Sequence, residues 1–271
     1  MHTILIPYDF SNSAKNAAKF ALKLFSNRST KFVFAHFIES EAGTKVTPEE
    51  NDNHSTNEIK RHVDELTRIG DNPHHQFESM VLRESIVTGT VRVAEKYCAE
   101  AIFMGTKGNS DVVSKILGSI TSGVIEASNI PVMAIPLNVS YDGFRRMVLG
   151  TDFRPVNDFD SYDYLMKLLS LSNSEFIVLN VLNKKEPATM EQTMSGITMD
   201  RELSQRPHRY DFVDDESTVH GLMQYVEKNK VDLLAMLKRD HYLINPSIAK
   251  STVGNAVMEI KIPLLSLPDA K

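Results

Sequence analysis

Short apolar runs recur along the chain, each closed by a polar residue or glycine and followed by apolar residues three and four positions apart. Thr3 to Tyr8 has no polar alternation, as expected of a strand covered on both faces, and it ends at Asp9. Ser11 stands where a helix cap belongs, and Ala14, Ala17, Ala18, Ala21, Leu22 and Phe25 follow at helical spacing. Further strands are predicted at Phe32 to Ile38, Gln76 to Arg83, Ala101 to Met104 and Val132 to Ile135. Between them fall helices. One starts at the Thr47-Pro48-Glu50 signal and runs through Ile59, Val63, Leu66 and Ile69 to Gly70; the others cover Thr90 to Cys98 and Ser119 to Ala127. Strands and helices in alternation imply right-handed crossovers and a parallel sheet.

The pattern then begins again. Met147 to Phe153 parallels Leu5 to Phe10, with Asp152 in the place of Asp9. Phe176 to Val181 parallels Phe32 to Phe37, and Ile262-Pro263-Leu264-Leu265 parallels Ile130-Pro131-Val132-Met133. The expected organisation is a duplication, 1–140 and 141–271, of an open parallel-sheet α/β domain. The segment Lys184 to His208 is weakly patterned and carries no assignment.

Composition narrows the partners. With 271 residues, 42% of them apolar, two cores can be filled, and a net charge of -5 without a basic tract argues against nucleic acid. Cys98 is the one cysteine and forms no internal disulfide, which suits a reducing compartment; its place on the apolar side of a helix predicts a buried, inert thiol. Neither a signal peptide nor a membrane span is read from the sequence, so the expected location is the cytoplasm.

Candidate chemistry concentrates after the fourth strand, where Gly105, Thr106, Lys107 and Gly108 are followed at a distance by Gly118 and Ser119. Strand, glycine loop and helix form the order in which main-chain N–H groups meet an anion. Ser119, read as the helix N-cap, either satisfies its own helix or donates a hydroxyl to a phosphate. Without a terminal Gly-Lys-Ser/Thr this is not a Walker A loop, and its position is wrong for a Rossmann fingerprint. A plain turn accounts for the glycines equally well. In a parallel sheet the ligand site lies beyond the carboxyl ends of the strands where strand order reverses, which brings Asp9 to the same edge as Gly105.

The run Met104-Gly105-x-x-Gly108-x9-Gly118-Ser119, closed by Ile130-Pro131-Val132, resembles the ATP-binding signature of the universal stress proteins. The resemblance covers nearly the whole chain as a tandem pair and is specific in the first half. It implies a Rossmann-like, adenine-nucleotide alpha-hydrolase-like fold and a regulatory or sensing role in the stress response, and it is compatible with slow ATP hydrolysis; the residues themselves show no paired acids and no Ser-His-Asp arrangement, so no enzyme is expected. The implied ligand is ATP, ADP or AMP, with or without Mg. Adenine and ribose contacts fall on Pro7, Asp9 and Phe37, and phosphate contacts on Gly105, Gly108, Gly118 and Ser119, with Met104 and Ile120 alongside. Val87-Thr88-Gly89 resembles the family's adenine-lining turn. Phe37 and Tyr8 are larger than the family's usual residues there and narrow the adenine pocket. The resemblance also implies that the two halves pair through their last strands as an internal pseudo-dimer, with a homodimer of chains open.

Carried back from the Ile-Pro pair, the register sets Leu237 against Gly105, Asp240 against Gly108 and Lys250 against Gly118; Ser251 alone matches Ser119. A bulky side chain and a negative charge at phosphate positions imply that the second half does not hold ATP. Lys107 and Lys115 read as solvated lysines. His74, His75 and His36 lack a third ligand at metal spacing. Met190, Met194 and Met199 fit either core packing or a flexible apolar surface, and Asp214-Asp215-Glu216 reads as a solvated loop. Two rival readings are a nucleotide-free interaction scaffold and an adenylate-forming enzyme, though Phe10-Ser11-Asn12-Ser13 lacks the glycine of a pyrophosphate loop.

Overall fold

A computed structural model of the chain describes residues 1–38, 48–70, 72–106, 117–157, 159–182, 189–204, 206–239 and 252–269. It divides into two compact units, Met1–Tyr141 and Asp142–Lys271. In the first, strands β1 (His2–Pro7), β2 (Thr30–Phe37), β3 (His75–Leu82), β4 (Ala101–Gly105) and β5 (Val132–Ile135) alternate with helices α1 (Asn12–Leu24), α2 (Pro48–Gly70), α3 (Ile86–Lys96) and α4 (Leu117–Ala127). The strands are parallel in the order β3-β2-β1-β4-β5, so β1 pairs with β2 on one side and β4 on the other. That is where strand order reverses. The apolar runs of β1, β4 and β5 and most of β2 are buried, while the edge strand β3 is half-buried, and Phe25 of the α1 cap packs edge-on against Phe32 and Phe103. Burial of such side chains from both faces is the main driving force for the sheet, each contributing roughly 2 kcal/mol.

The second unit repeats the topology. Its strands are β6 (Arg146–Gly150), β7 (Glu175–Leu182), β8 (His208–Asp214), β9 (Leu233–Lys238) and β10 (Leu264–Pro268), and its helices α5 (Asp163–Leu171), α6 (Met190–Leu203), α7 (Thr218–Lys228) and α8 (Thr252–Glu259). The order β8-β7-β6-β9-β10 matches β3-β2-β1-β4-β5. Pairing confirms the register, because Gly105 lies opposite Ile135 and Leu237 opposite Leu267. Even unusual backbone recurs: Phe10 and Phe153 have φ of 64° and 54°, and Cys98 and Lys230 have 48° and 50°. His36 Nδ1 lies 2.8 Å from the carbonyl of Tyr8, and Asn180 donates to that of Thr151 at 2.6 Å.

Several expectations need correction. Helix α3 starts at Ile86, with Ser85 in the cap position, four residues before the expected Thr90. Val87-Thr88-Gly89 therefore forms the first turn of a helix, where Gly89 is accommodated because the Phe37 ring takes the space of a Cβ: an added carbon would stand 2.5 Å from Phe37 Cε1. Cys98 is exposed, not buried. The helix ends at Lys96, and the left-handed backbone after its Tyr97 cap takes Cys98 off the helical face. Helix α4 begins at Leu117, so Ser119 is its third residue rather than its N-cap. The weakly patterned segment holds α6, opened by a capping box in which the Thr189 hydroxyl accepts from the Gln192 N–H and the Gln192 side chain accepts from the Thr189 N–H.

On β3, Glu78 is held by Lys31 at 2.7 Å and by the Tyr97 hydroxyl. The Lys31 bond, then the Tyr97 bond, hold the Glu78 carboxyl below its ordinary range, while Glu78 pushes Tyr97 up to about 12. A lowered folded-state pKa gives stability that is present above the unfolded value and lost as pH falls through the folded one. In urea titrations, Glu78→Gln should be less stable than wild type near pH 6, and the difference should shrink as the pH is lowered through the acid range; a difference that does not change with pH would refute the assignment.

Candidate functional site

A cleft opens in the first unit at the carboxyl ends of β1 and β4. Pro7 and Asp9 line it from β1 and the loop beyond, and Met104 and Gly105 from β4; Ile120 and Thr121 of α4 face them. Ser11, Ser13 and Ala14 of the α1 start and Ile86 of α3 complete the described wall. Five residues expected at a ligand site, Pro7, Asp9, Met104, Gly105 and Ile120, are thereby brought together.

Each is positioned by local chemistry. Asp9 leaves the sheet exposed, and its Oδ1 accepts from the Ser11 N–H at 3.1 Å, a turn that starts α1. Ser11 accepts from the Ala14 N–H at 3.0 Å as the true cap. The Thr121 hydroxyl donates to the Gly105 carbonyl at 3.1 Å, tying α4 to the end of β4. Gly105 has a steric reason of its own, since a Cβ there would lie 2.6 Å from the Ser13 carbonyl carbon. Beneath Asp9, Tyr8 is buried with its hydroxyl 3.0 Å from His62 Nδ1, and burial raises its pKa well above the usual range, with Glu65 adding to the effect.

The remaining expected residues divide. Phe37 ends β2 with its ring on Gly89 and does not line the cleft. Gly118 and Ser119 lie in the first turn of α4, whose N-terminal dipole favours an anion. Gly108, Lys107 and Lys115 lie outside the described residues. His75 is buried against the Phe25 carbonyl at 3.0 Å and serves the core. Ser13, Ile86 and Thr121 were missed; each sits inside a helix whose apolar spacing gave no hint that its first or second turn reaches the strand ends.

At the matching position of the second unit the chain supplies its own cation. Arg239 follows β9, and its Nη2 lies 2.9 Å from Asp152 Oδ1 and donates to the Arg154 carbonyl at 2.7 Å; its Nη1 donates to the Pro155 carbonyl at 2.7 Å and lies 3.8 Å from Asp269. Asp269 in turn accepts from the Asn157 N–H at 3.0 Å. Asp152 repeats the Asp9 turn, accepting from the Arg154 N–H at 3.0 Å. The α-helix that follows Asp9 starts at Asn12, whereas Asp152 is followed by a 3-10 turn at Phe159–Tyr162 and then by α5 from Asp163, and Arg239 clamps the loop before them. Asp240, Lys250 and Ser251 lie outside the described residues.

Comparison with known proteins places these features. A model of the Universal stress protein family matches residues 1–136. Universal stress protein MJ0577 of Methanocaldococcus jannaschii is 26% identical over 153 residues, which is 49% of this chain and 93% of that one. Among solved structures, a universal stress protein from Archaeoglobus fulgidus aligns with a TM-score of 0.77 at 14% identity, covering 99% of this chain and 98% of its own. PA1789 of Pseudomonas aeruginosa, described as functionally unknown, aligns at 0.62 and 9% identity, with 99% and 93% covered. At these identities the two structures speak for the fold.

Proposed function

This chain belongs to the universal stress protein family, and from that premise we propose that its first half binds ATP, ADP or AMP as a non-catalytic regulatory or sensing module in the cytoplasm. The observation that carries the reading is the convergence of Pro7, Asp9, Met104, Gly105 and Ile120 on one cleft at the reversal of strand order. The chemistry of that wall fits the ligand. The Asp9 carboxylate is suited to accept from ribose hydroxyls, and the start of α4 is suited to phosphate. A magnesium ion would accompany the phosphates rather than require a protein cage.

The second half, on this reading, holds no nucleotide. Arg239 already neutralises Asp152, and Leu237 stands where Gly105 does. Titration calorimetry of ATP into wild type and Gly118→Asp tests the reading. The expected result is one ATP per wild-type chain and none for the variant, whose new carboxylate repels phosphate at the helix start. Two ATP per chain would remove the asymmetry. If neither protein binds while both stay folded, the nucleotide reading fails. A scaffold without nucleotide then stands, favoured by one observation: packing against Ser13 accounts for Gly105 without any ligand.

A further inference from the structure

We propose that Thr121 is a positioning residue for the nucleotide: its hydroxyl fixes the start of α4 against the end of β4 and so sets where phosphate meets the site, without itself touching the ligand. The inference rests on the nucleotide reading above and adds what holds that site in shape.

The seam between the first and fourth strands is closed differently in the two units. In the second, β6 pairs with β9 from Met147–Leu233 to Gly150–Met236. In the first, β1 pairs with β4 at Ile4–Ala101 and Leu5–Ile102 and goes no further. Val148 pairs with Leu234 where Leu5 pairs with Ile102, so Gly150 stands at the place of Pro7, and a proline brings no N–H to a ladder. The ladder thus stops short of the residues that line the cleft.

The Gly105–Thr106 peptide shows what takes over. Its N–H goes to the Ile135 carbonyl of β5 at 3.1 Å. The two polar groups of a trans peptide point opposite ways, so the Gly105 carbonyl faces the β1 side, where Pro7 offers no donor. It accepts from Thr121 Oγ1 at 3.1 Å. Thr121 is 1% exposed, so water does little to replace that bond, and a buried carbonyl left without it costs more than the bond contributes net. Val124 and Ile125 of α4 are buried and Gly123 stands against the Val87 side chain, but apolar burial is non-directional, whereas a hydrogen bond demands a narrow range of length and angle.

The second unit supplies the comparison. Counted by the interval that relates Gly105–Ile135 to Leu237–Leu267, Thr121 corresponds to Val253 of α8, also buried. Valine keeps the shape of threonine without its hydroxyl. The hydroxyl is present in the half whose ladder stops short and absent from the half whose ladder runs on.

Full-length Thr121→Val and Thr121→Ser test this beside wild type, with circular dichroism to verify each fold. In titration calorimetry Thr121→Val should weaken ATP binding about tenfold, as expected for one buried hydrogen bond, while Thr121→Ser, which keeps the hydroxyl, stays close to wild type. A side chain that only packed would give the reverse order, because valine preserves its shape and serine loses a methyl. Hydrogen exchange of the ligand-free proteins separates positioning from ligand contact: residues 120–127 should exchange faster in Thr121→Val and not in Thr121→Ser. Reversed affinities, equal affinities, or exchange in Thr121→Val that matches wild type would overturn the proposal. Any of these with ATP still bound by wild type leaves the nucleotide reading standing, whereas a wild type that takes no ATP ends that reading and this one with it.

Discussion

Gly105→Ala should destabilise the first half by about 2–3 kcal/mol, as expected of an over-packed site that cannot relax. The added carbon would stand 2.2 Å from Ser13 Oγ, 2.6 Å from the Ser13 carbonyl carbon and 2.7 Å from its oxygen. A hydroxyl can rotate away; a backbone carbonyl in the first turn of a helix cannot. Nor can α1 withdraw, because Asn16 donates to the carbonyls of Pro136 and Val139 at 3.0 and 2.8 Å and Ser11 caps its first turn. Gly123→Ala is the control, since its Cβ would meet the two side-chain methyls of Val87 at 3.2 and 3.8 Å, and better helix propensity offsets that contact. Urea melts of the three proteins decide the matter. If Gly105→Ala retains wild-type stability, α1 is free to move and the close approach is not a constraint. The second half relieves the same constraint differently: Leu237 occupies the position, and the helix that follows Asp152 begins later in the chain.

Arg239→Ala should cost the second half about 2–3 kcal/mol, less than the roughly 3–5 kcal/mol of a fully buried ion pair because the Asp152 side chain is exposed. Arg239 is 19% exposed and Asp269 13%, so removing the guanidinium leaves a largely buried carboxylate without a counter-ion and takes the donors from the Arg154 and Pro155 carbonyls together. Arg239→Lys should recover only part of the loss, because one ammonium does not reproduce a planar fork that spans two carboxylates and two carbonyls. Hydrogen exchange locates the effect: the Arg154 and Asn157 amides should exchange faster in the alanine variant while the β1 amides do not change. Loss of protection spread evenly over both halves, or none at residues 152–157, would refute the clamp.

How much of this was legible depends on where the information lies. The strands and their parallel arrangement follow from short apolar runs alternating with helices, and the duplication follows from repeats such as Ile-Pro; the order of the strands in the sheet was not read from the sequence. The start of α3 was hidden because Gly89 looks like a turn until the Phe37 ring is found against it. Helix α6 was hidden because apolar residues on two opposite faces cancel the periodicity that marks a one-sided helix; its capping box, Thr189 to Gln192, was the signal to use. Within the cleft, Asp9 and Gly105 were predictable because each ends a strand. The Arg239 clamp was not, since its partner Asp152 is 87 positions away in the chain and only the folded topology makes them neighbours.

The paired left-handed joints, Phe10 with Phe153 and Cys98 with Lys230, have a use beyond describing this molecule. None of the four is glycine or asparagine, so each copy bears roughly 1 kcal/mol or more per joint to keep a backbone shape that its side chains do not favour. Loops, helix lengths and the residue facing Ser13 have all diverged around them. They act as survey markers: in a more distant duplicate, where residue identity has faded, an alignment that moves either joint out of register by one position has put its gap in the wrong place.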